Sequence, residues 1–498
     1  MHLSVEPIDI GTKRPVVLLN SADAETLGVH ALDRVEISWD GNTEVGIVKI
    51  TDELVGEGTL GVTHGLPRPP TDVDVTAAPH PSSVESIKRK LDDEELDADE
   101  LEAIVADIYD DRLSDLELSA YICGAHTNGF SLEETKTLTE RMSAVGERLD
   151  WDQPVIADKH SVGGVAGNRV TPIIIPIAVA AGLTVPKTSS RAVTSPAGTA
   201  DTMEVFCSVE FSLSEIRDIV EDVGGCLVWG GAVDLSPVDD KMIRAQNPLS
   251  VNPPGQTIAS VLSKKQSAGS SHIIIDVPYG EGAKVTNLDA ARELATDFKR
   301  VGDYLDLHVE CAITRGTDPI GHGIGPVLEA RDVLAVLEGD GPAGLRLKSL
   351  RLADILLDIT REDGADIADV SAAELLDSGA ALETFREIIA AQGGDPDVSR
   401  ADLQPADRTE TVVAGRDGIV TDVANPKVSE LARRAGAPAD VGAGLELHRS
   451  TGDTVAAGDE LYTIHAEAET KLGYAREYAA ENTIVRVGGR DEALIERV

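Results

Sequence analysis

Two short polar loops hold most of the residues that can do chemistry in this chain. The first is Lys159-His160-Ser161-Val162-Gly163-Gly164; the second runs from Ser189 through Arg191 and Ser195 to Thr199. Each follows a short apolar run and opens a helical pattern. Such a strand–loop–helix joint gathers free backbone N–H groups at the positive end of a helix, which suits an anion. Lys159 and Arg191 add positive charge, and Ser161, Ser189, Ser190, Thr194, Ser195 and Thr199 add hydroxyls. One glycine-rich loop with a lysine is most often an ordinary turn. Two of the same kind, within about forty residues of each other, point to a site holding one phosphate or two.

The elements that must position these loops can be read from periodicity. Residues 1–82 alternate short apolar runs with turns and read as a β-rich domain closed by LPRPP and HPSS. Residues 83–152 turn helical, with Leu101, Ile104, Val105 and Ile108 at helical spacing and Ser114 and Ser131 at helix starts or loops. The stretch from 153 to 236 alternates strands with helices. After a helical excursion at about 237–268, which is expected to return to the helical lobe, the alternation resumes and runs to about 400. That pattern predicts an α/β fold with a parallel or mixed sheet covered on both faces, set beside a helical lobe with a cleft between them. A stretch near 390–408 reads as a linker, and 409–498 as a C-terminal β-rich α+β domain.

Composition narrows the function classes. The 498 residues carry 44 Lys and Arg against 87 Asp and Glu, a formal charge of −43, and aromatics make up 3%. A field that negative disfavours nucleic acid and anionic membranes as partners, and it suits a surface adapted to high salt. Local cations, Lys159, Arg191, Lys264, Lys265 and Lys284, must then override the global field wherever an anion binds. Cys123, Cys207, Cys226 and Cys311 form no CxxC, and the 11 histidines form no HExxH or similar group, so neither a disulfide nor a metal is expected. No leader-like or membrane-length apolar run is present, which predicts a cytoplasmic protein.

The loops resemble the phosphate loops of the thymidine phosphorylase family, K-H-S-x-G-G followed by S-x-R…G-T-x-D. The run KTSSRAVTSPAGTAD is closer still to its archaeal branch, the nucleoside monophosphate (AMP) phosphorylases. The likeness extends through VWGGAVDLSPVDDKMIR, IASVLSKK, TRGTDPIGHGIGPVLEARDVL and GRDGIVTDV. It implies phosphorolysis of the N-glycosidic bond: phosphate attacks the anomeric carbon and the base departs, with no cofactor and no metal, phosphate being a co-substrate. Such a reaction asks for positioning and electrostatics rather than a covalent nucleophile.

By the same resemblance, Lys159, Ser161, Ser189 and Thr199 are phosphate ligands. The nucleotide falls to Gly164, Ser190, Arg191, Ala192, Val193, Thr194, Ser195, Thr199, Ser260, Lys264 and Lys284. Ser260 and Lys264 lie four apart, on one face of an expected helix. A homodimer or larger homo-oligomer is implied, through helices in roughly 84–150.

Two positions depart from the family pattern. Ala245, with Arg244 beside it, falls where pyrimidine enzymes carry an arginine. Asn252 replaces the aspartate proton donor of the AMP enzymes. An amide hydrogen-bonds but does not give up a proton as a carboxylic acid does. AMP therefore stands beside guanosine, inosine and thymidine as the expected substrate, with a phosphoribosyltransferase of the same fold more distant because its G-T-G-G-D loop is missing. Of the remaining groups, His160 reads equally as substrate contact or packed loop residue, Lys265 as solvated, His322 as a turn, and the C-terminal hammerhead-like pattern as a structural cap.

Overall fold

The computed structural model describes every residue except 13, 70, 193–194, 234, 247–248, 250 and 489–498. It divides into two compact units, Met1–Gly129 with Arg244–Gln246, and Phe130–Ile243 with Asn247–Val498.

In the first unit, strands β1 (His2–Pro7), β2 (Val16–Leu19), β3 (Arg34–Trp39), β4 (Asn42–Ile50), β5 (Thr59–Val62) and β6 (Asp72–Ala77) close into a barrel in the order β1-β5-β2-β4-β3-β6. Helix α1 (Ser21–Leu27) follows β2. Alternation drives the closure: Val73 and Val75 are buried while Asp72 and Asp74 face out, and Leu3, Val17, Val35, Ile37 and Leu60 fill the interior. Helices α2 (Ser83–Leu91), α3 (Ala98–Tyr109) and α4 (Asp115–Asn128) complete the unit. Asp97 with Glu100 and Ser114 with Glu117 form capping boxes that start α3 and α4.

The second unit opens with α5 (Leu132–Ala144), capped by Ser131 and Glu134. The α/β portion runs β7 (Ala157–Ser161), α6 (Thr171–Ala180), β8 (Val185–Ser189), α7 (Thr199–Met203), α8 (Leu213–Val223), β9 (Gly225–Trp229), α9 (Pro237–Gln246), α10 (Pro254–Ser267), β10 (His272–Tyr279), α11 (Leu288–Tyr304) and β11 (His308–Arg315). Strands pair parallel in the orders β11-β10-β7 and β8-β9, and an Ile156–Thr184 bridge links the two sets. Helix α6 is apolar on all sides because it is buried on all sides. Ile173, Ile174, Ile175 and Ile177 pack among residues of α12 (Pro326–Leu337), α13 (Ala343–Glu362), α14 (Ala372–Asp377) and α15 (Ala380–Ala391). The helical excursion ends in α10, which packs on α5 with one side and contributes Ile258, Val261 and Leu262 to the core under β10 with another.

The C-terminal part holds β13 (Arg408–Val413), β14 (Gly418–Val423), α16 (Asn425–Ala435), β15 (Gly444–Leu447), β16 (Thr454–Val455), β17 (Glu460–Ala466), α17 (Glu469–Glu481) and β18 (Val485–Gly488). His322, expected in a turn, lies in a bend, and the two residues after it form β12 (Gly323–Ile324), an edge strand of the sheet β12-β15-β17-β13. The expected linker is also anchored at its start. Gln392 is fully buried, accepts from Leu227 N–H (2.8 Å) and donates to the carbonyls of Ser208 (2.8 Å) and Leu227 (3.1 Å).

Candidate active site

The site lies at the carboxyl ends of β7, β8 and β10, where open parallel sheets leave room for ligands. Strand alternation sends Lys159 and Ser161 to one face of β7 and Asp158 and His160 to the other. Ser161 is the register partner of Asp276 on β10, and its hydroxyl donates to that carboxylate at 2.8 Å. Asp276 is fully buried. It also accepts from Thr314 (2.6 Å) and Asn168 (3.2 Å) and pairs with Lys348 of α13 (2.8 Å). Burial alone would raise the Asp276 pKa, but Lys348 and Lys159 outweigh it and hold the carboxyl below its usual range.

Lys159 is fully buried and donates to Thr171 Oγ1 (3.1 Å) at the start of α6. Its pKa falls to about 7: burial is the main cause, Asp276 pulls upward, and Lys348, Arg169 and Lys265 push further down. On the other face, Asp158 accepts from Lys265 Nζ (2.8 Å) and Ser270 Oγ (3.0 Å) and lies 3.8 Å from Lys187 Nζ. Lys265 was expected to be solvated; it is 1% exposed. Adjacent helical residues point about 100° apart, so Lys264 and Lys265 leave α10 on different sides and the second reaches Asp158. His160, set among these lysines, has its pKa held well below the ordinary value by burial and then by Lys265, Lys187 and Lys159.

Glycine shapes both loops. Gly164 has φ +91°, and a Cβ there would lie 2.5 Å from the backbone nitrogen of Lys284. That close approach sets the Lys284 chain against the first loop, and burial lowers the Lys284 pKa. In the second loop a Cβ on Gly198 would meet Ser190 O and Arg191 C at 2.5 Å. The loop closes on itself: Asp201 accepts from the N–H groups of Ala192 (2.6 Å) and Gly198 (2.7 Å), and Ser195 Oγ donates to Ala197 O (2.8 Å). The expected supply of free N–H groups is therefore partly used within the loop. Arg191 is also committed, to Glu204 (2.5 Å) and Glu210 (2.9 Å), with its guanidinium 4.7 Å over the Trp229 ring. Ser189 Oγ, by contrast, is buried with no hydrogen-bond partner among the described residues.

Arg169, in the stretch between the first loop and α6, reaches the second loop. It donates to Ala197 O (2.7 Å), to Thr199 Oγ1 (3.1 Å) and to Glu329 of α12, a carboxylate 1% exposed. Ser260 and Lys264 sit one turn apart on α10, both half-buried, and Lys264 pairs with buried Asp239 at 2.5 Å. Burial opposes the Lys264 charge, but Asp239 and Asp240 more than compensate and raise its pKa. Asn252 is exposed, in the turn before α10, and Ser190 is exposed at the end of β8. Val193 and Thr194 lie outside the described residues.

Arg169, Asn168, Asp276, Thr314, Glu329 and Lys348 were not singled out from the sequence. Asp276 did leave a signal, a carboxylate inside the apolar run HIIIDVPY; Lys348 on a helix and Arg169 in a loop left none. Around the first loop the cations Lys159, Arg169, Lys187, Lys264, Lys265, Lys284 and Lys348 outnumber the carboxylates Asp158, Asp239, Asp276 and Glu329. Burial lowers the pKa of Lys159, Lys187 and Lys284, so these side chains form a concentrated set of protonatable groups inside a strongly negative molecule.

Fold and site together define a glycosyl transferase. Models of the glycosyl transferase family match residues 84–146 as its helical bundle domain and 153–381 as its a/b domain. The pyrimidine nucleoside phosphorylase C-terminal domain matches 419–485. The AMP phosphorylase of Natronomonas pharaonis is 73% identical over 499 residues, covering all of both chains. That of Thermococcus kodakarensis is 44% identical over 496 residues, 98% of each. Among solved structures, anthranilate phosphoribosyltransferase from Thermus thermophilus superposes with a TM-score of 0.51 over 62% of this chain and 99% of its own; at 16% identity this speaks for the fold alone. The chain belongs to the AMP phosphorylase family.

Proposed function

We infer that this enzyme cleaves AMP with inorganic phosphate to give adenine and ribose 1,5-bisphosphate. A phosphate oxygen bonds to C1′, the C1′–N9 bond breaks, and its electron pair leaves with the base, which takes up a proton. The observation that carries the reading is the buried cation cluster around Lys159 beside the unpartnered Ser189 hydroxyl. In this reading Lys159, Ser189 and Thr199 hold the attacking phosphate, and Ser161 turns its hydroxyl from Asp276 to join them. With a pKa near 7, Lys159 is partly charged at neutral pH, and the phosphate dianion favours its protonated form, so its charge acts where charge develops. Gly164, Lys284, Ser260, Lys264 and the second loop from Ser190 to Ser195 receive the nucleotide. Arg191, already tied to carboxylates, shapes the loop more than it binds ligand.

Full-length similarity to AMP phosphorylases favours adenine over the guanosine, inosine and thymidine alternatives, and the phosphoribosyltransferase-like fold does not offset it. Asn252, exposed before α10, then supplies at most a hydrogen bond to the leaving base. The test is phosphate-dependent release of free base from AMP, adenosine, GMP and guanosine, by wild type and Asn252→Asp. AMP should lead the panel in kcat/KM for wild type; a lead for GMP or guanosine that Asn252→Asp reverses would overturn the adenine reading. We propose also that the protein acts in the cytoplasm as a homodimer or larger assembly built through α2–α4, where Leu91 and Leu116 stay exposed (45% and 73%). A single-chain mass by light scattering, in the salt that gives full activity, would exclude the assembly.

A further inference from the structure

The opposite end of the sheet carries a second constellation. His272 opens β10 and His308 opens β11, and the two are direct register partners on adjacent parallel strands. Their ring centroids lie 5.3 Å apart with planes tilted 33°. Asp363, the residue that caps α13 at its carboxyl end, points one carboxylate oxygen at both rings, 2.9 Å from His272 Nε2 and 2.7 Å from His308 Nδ1. The three donor atoms all fall within 4.8 Å of one another. The histidines are widely separated in sequence, so no spacing motif announces them; parallel register alone brings them together.

The support behind the rings is that of a ligand set. His272 is 7% exposed, and its Nδ1 lies 2.9 Å from Ser271 Oγ, which is 3.2 Å from Ile156 O and accepts from Ile156 N–H at 2.9 Å. When the serine proton goes to Ile156 O, the hydroxyl accepts from Nδ1–H and Nε2 presents a lone pair toward Asp363. Hydrogen bonds of this kind fix the tautomer and orientation of metal-binding imidazoles. His308 and Asp363 are partly open to solvent, which gives an ion an entry path and leaves coordination positions for water.

We propose that His272, His308 and Asp363 bind a divalent transition metal of the zinc, cobalt or nickel class. Two imidazoles and one carboxylate favour these ions over magnesium or calcium, which take oxygen ligands. Metal–nitrogen and metal–oxygen bonds of about 2.0–2.2 Å require the donors to spread by roughly half an ångström, a movement within reach of the exposed Asp363 side chain. Bound there, the ion ties the amino ends of β10 and β11 to the end of α13. His272 precedes Asp276 by four residues on β10, about 13 Å at strand rise, so the ion stands clear of the phosphate site and acts on stability rather than on the reaction.

The test uses chelator-stripped full-length protein and Co2+ as probe. One Co2+ per chain should bind with visible absorption bands typical of four or five ligands, and Zn2+ should compete it away. Both ions should raise Tm while leaving kcat for AMP unchanged. His308→Ala and Asp363→Asn should weaken binding by about tenfold or more and keep wild-type activity. In a second measurement, Zn2+ should protect His308 of the wild-type protein from acylation by diethylpyrocarbonate, read by mass spectrometry; this holds the question open to test even if a variant folds poorly. Co2+ binding no stronger in wild type than in His308→Ala, or unprotected His308, would show a hydrogen-bonded cluster only. Neither outcome touches the phosphorylase reading, which rests on base release.

Discussion

At the scale of single residues, the burial of Lys159 is hard to justify by stability. A fully buried lysine with a pKa near 7, against about 10.5 when unfolded, binds fewer protons folded than unfolded between those values. Its cost is therefore complete below about pH 7 and fades as pH rises toward 10.5. Lys159→Met should lower phosphorolysis at limiting phosphate by at least about tenfold, since a charge-assisted contact contributes about 1.5–3 kcal/mol. The same variant, melted without phosphate at pH 7, should not lose Tm; a clear loss would assign Lys159 to the framework. The profile of kcat/KM for phosphate should fall above about pH 7 as the free-enzyme lysine loses its proton. Asp276 raises the Lys159 pKa, so Asp276→Asn should move that limb to lower pH; an unmoved limb would detach it from Lys159. The loops themselves were legible because lysine, serine and glycine cluster there in sequence. Asp276 and Lys348 were not read, since their roles arise from register and from a helix distant in the chain.

At the scale of elements, Arg169 ties the second loop to α12 from the stretch that follows the first loop. Removing it takes donors from Thr199 and Ala197 and leaves Glu329 buried without its cation. Breaking a buried pair from one side costs about 3–5 kcal/mol, much of it from the carboxylate left behind. Arg169→Ala should therefore lower Tm and raise KM for phosphate. Adding Glu329→Gln should restore most of the Tm and little of the KM, because the neutral amide removes the stranded charge but does not return the donors to Ala197 and Thr199. Equal recovery of both would mean that Arg169 matters only for folding. The β-rich N-terminal domain was readable from period-2 alternation and the helical stretch after it from 3.6-residue spacing, with Ser114 and Ser131 marking helix starts. Strand β12 escaped notice because two residues, one of them a glycine, carry no alternation. The anchoring of Gln392 escaped because its partners, Ser208 and Leu227, lie far away in the chain.

At the scale of the whole molecule, charge decides the conditions under which the rest holds. The −43 formal charge is spread over surfaces such as the start of α3, where Asp92, Asp93, Glu94, Asp97 and Asp99 are all exposed. Like charges so dense repel across the compact state, and salt relieves the repulsion as the screening length drops from about 10 Å at 0.1 M to about 3 Å at 1 M. A full-length relative from the haloarchaeon Natronomonas pharaonis fits that setting. The cations around Lys159 are instead buried, where salt screens far less. Stability and phosphate binding should therefore part company. Raising KCl from about 0.1 M to about 1 M should lift Tm by several degrees, each kcal/mol counting for about 2–4 °C or less in a chain this long. Over the same range KM for phosphate, measured at a temperature where the protein stays folded throughout, should change by less than about threefold. A flat Tm would remove repulsion as the dominant surface term, and a KM that climbs steeply with salt would place the phosphate-binding charge at the surface rather than in the buried cluster.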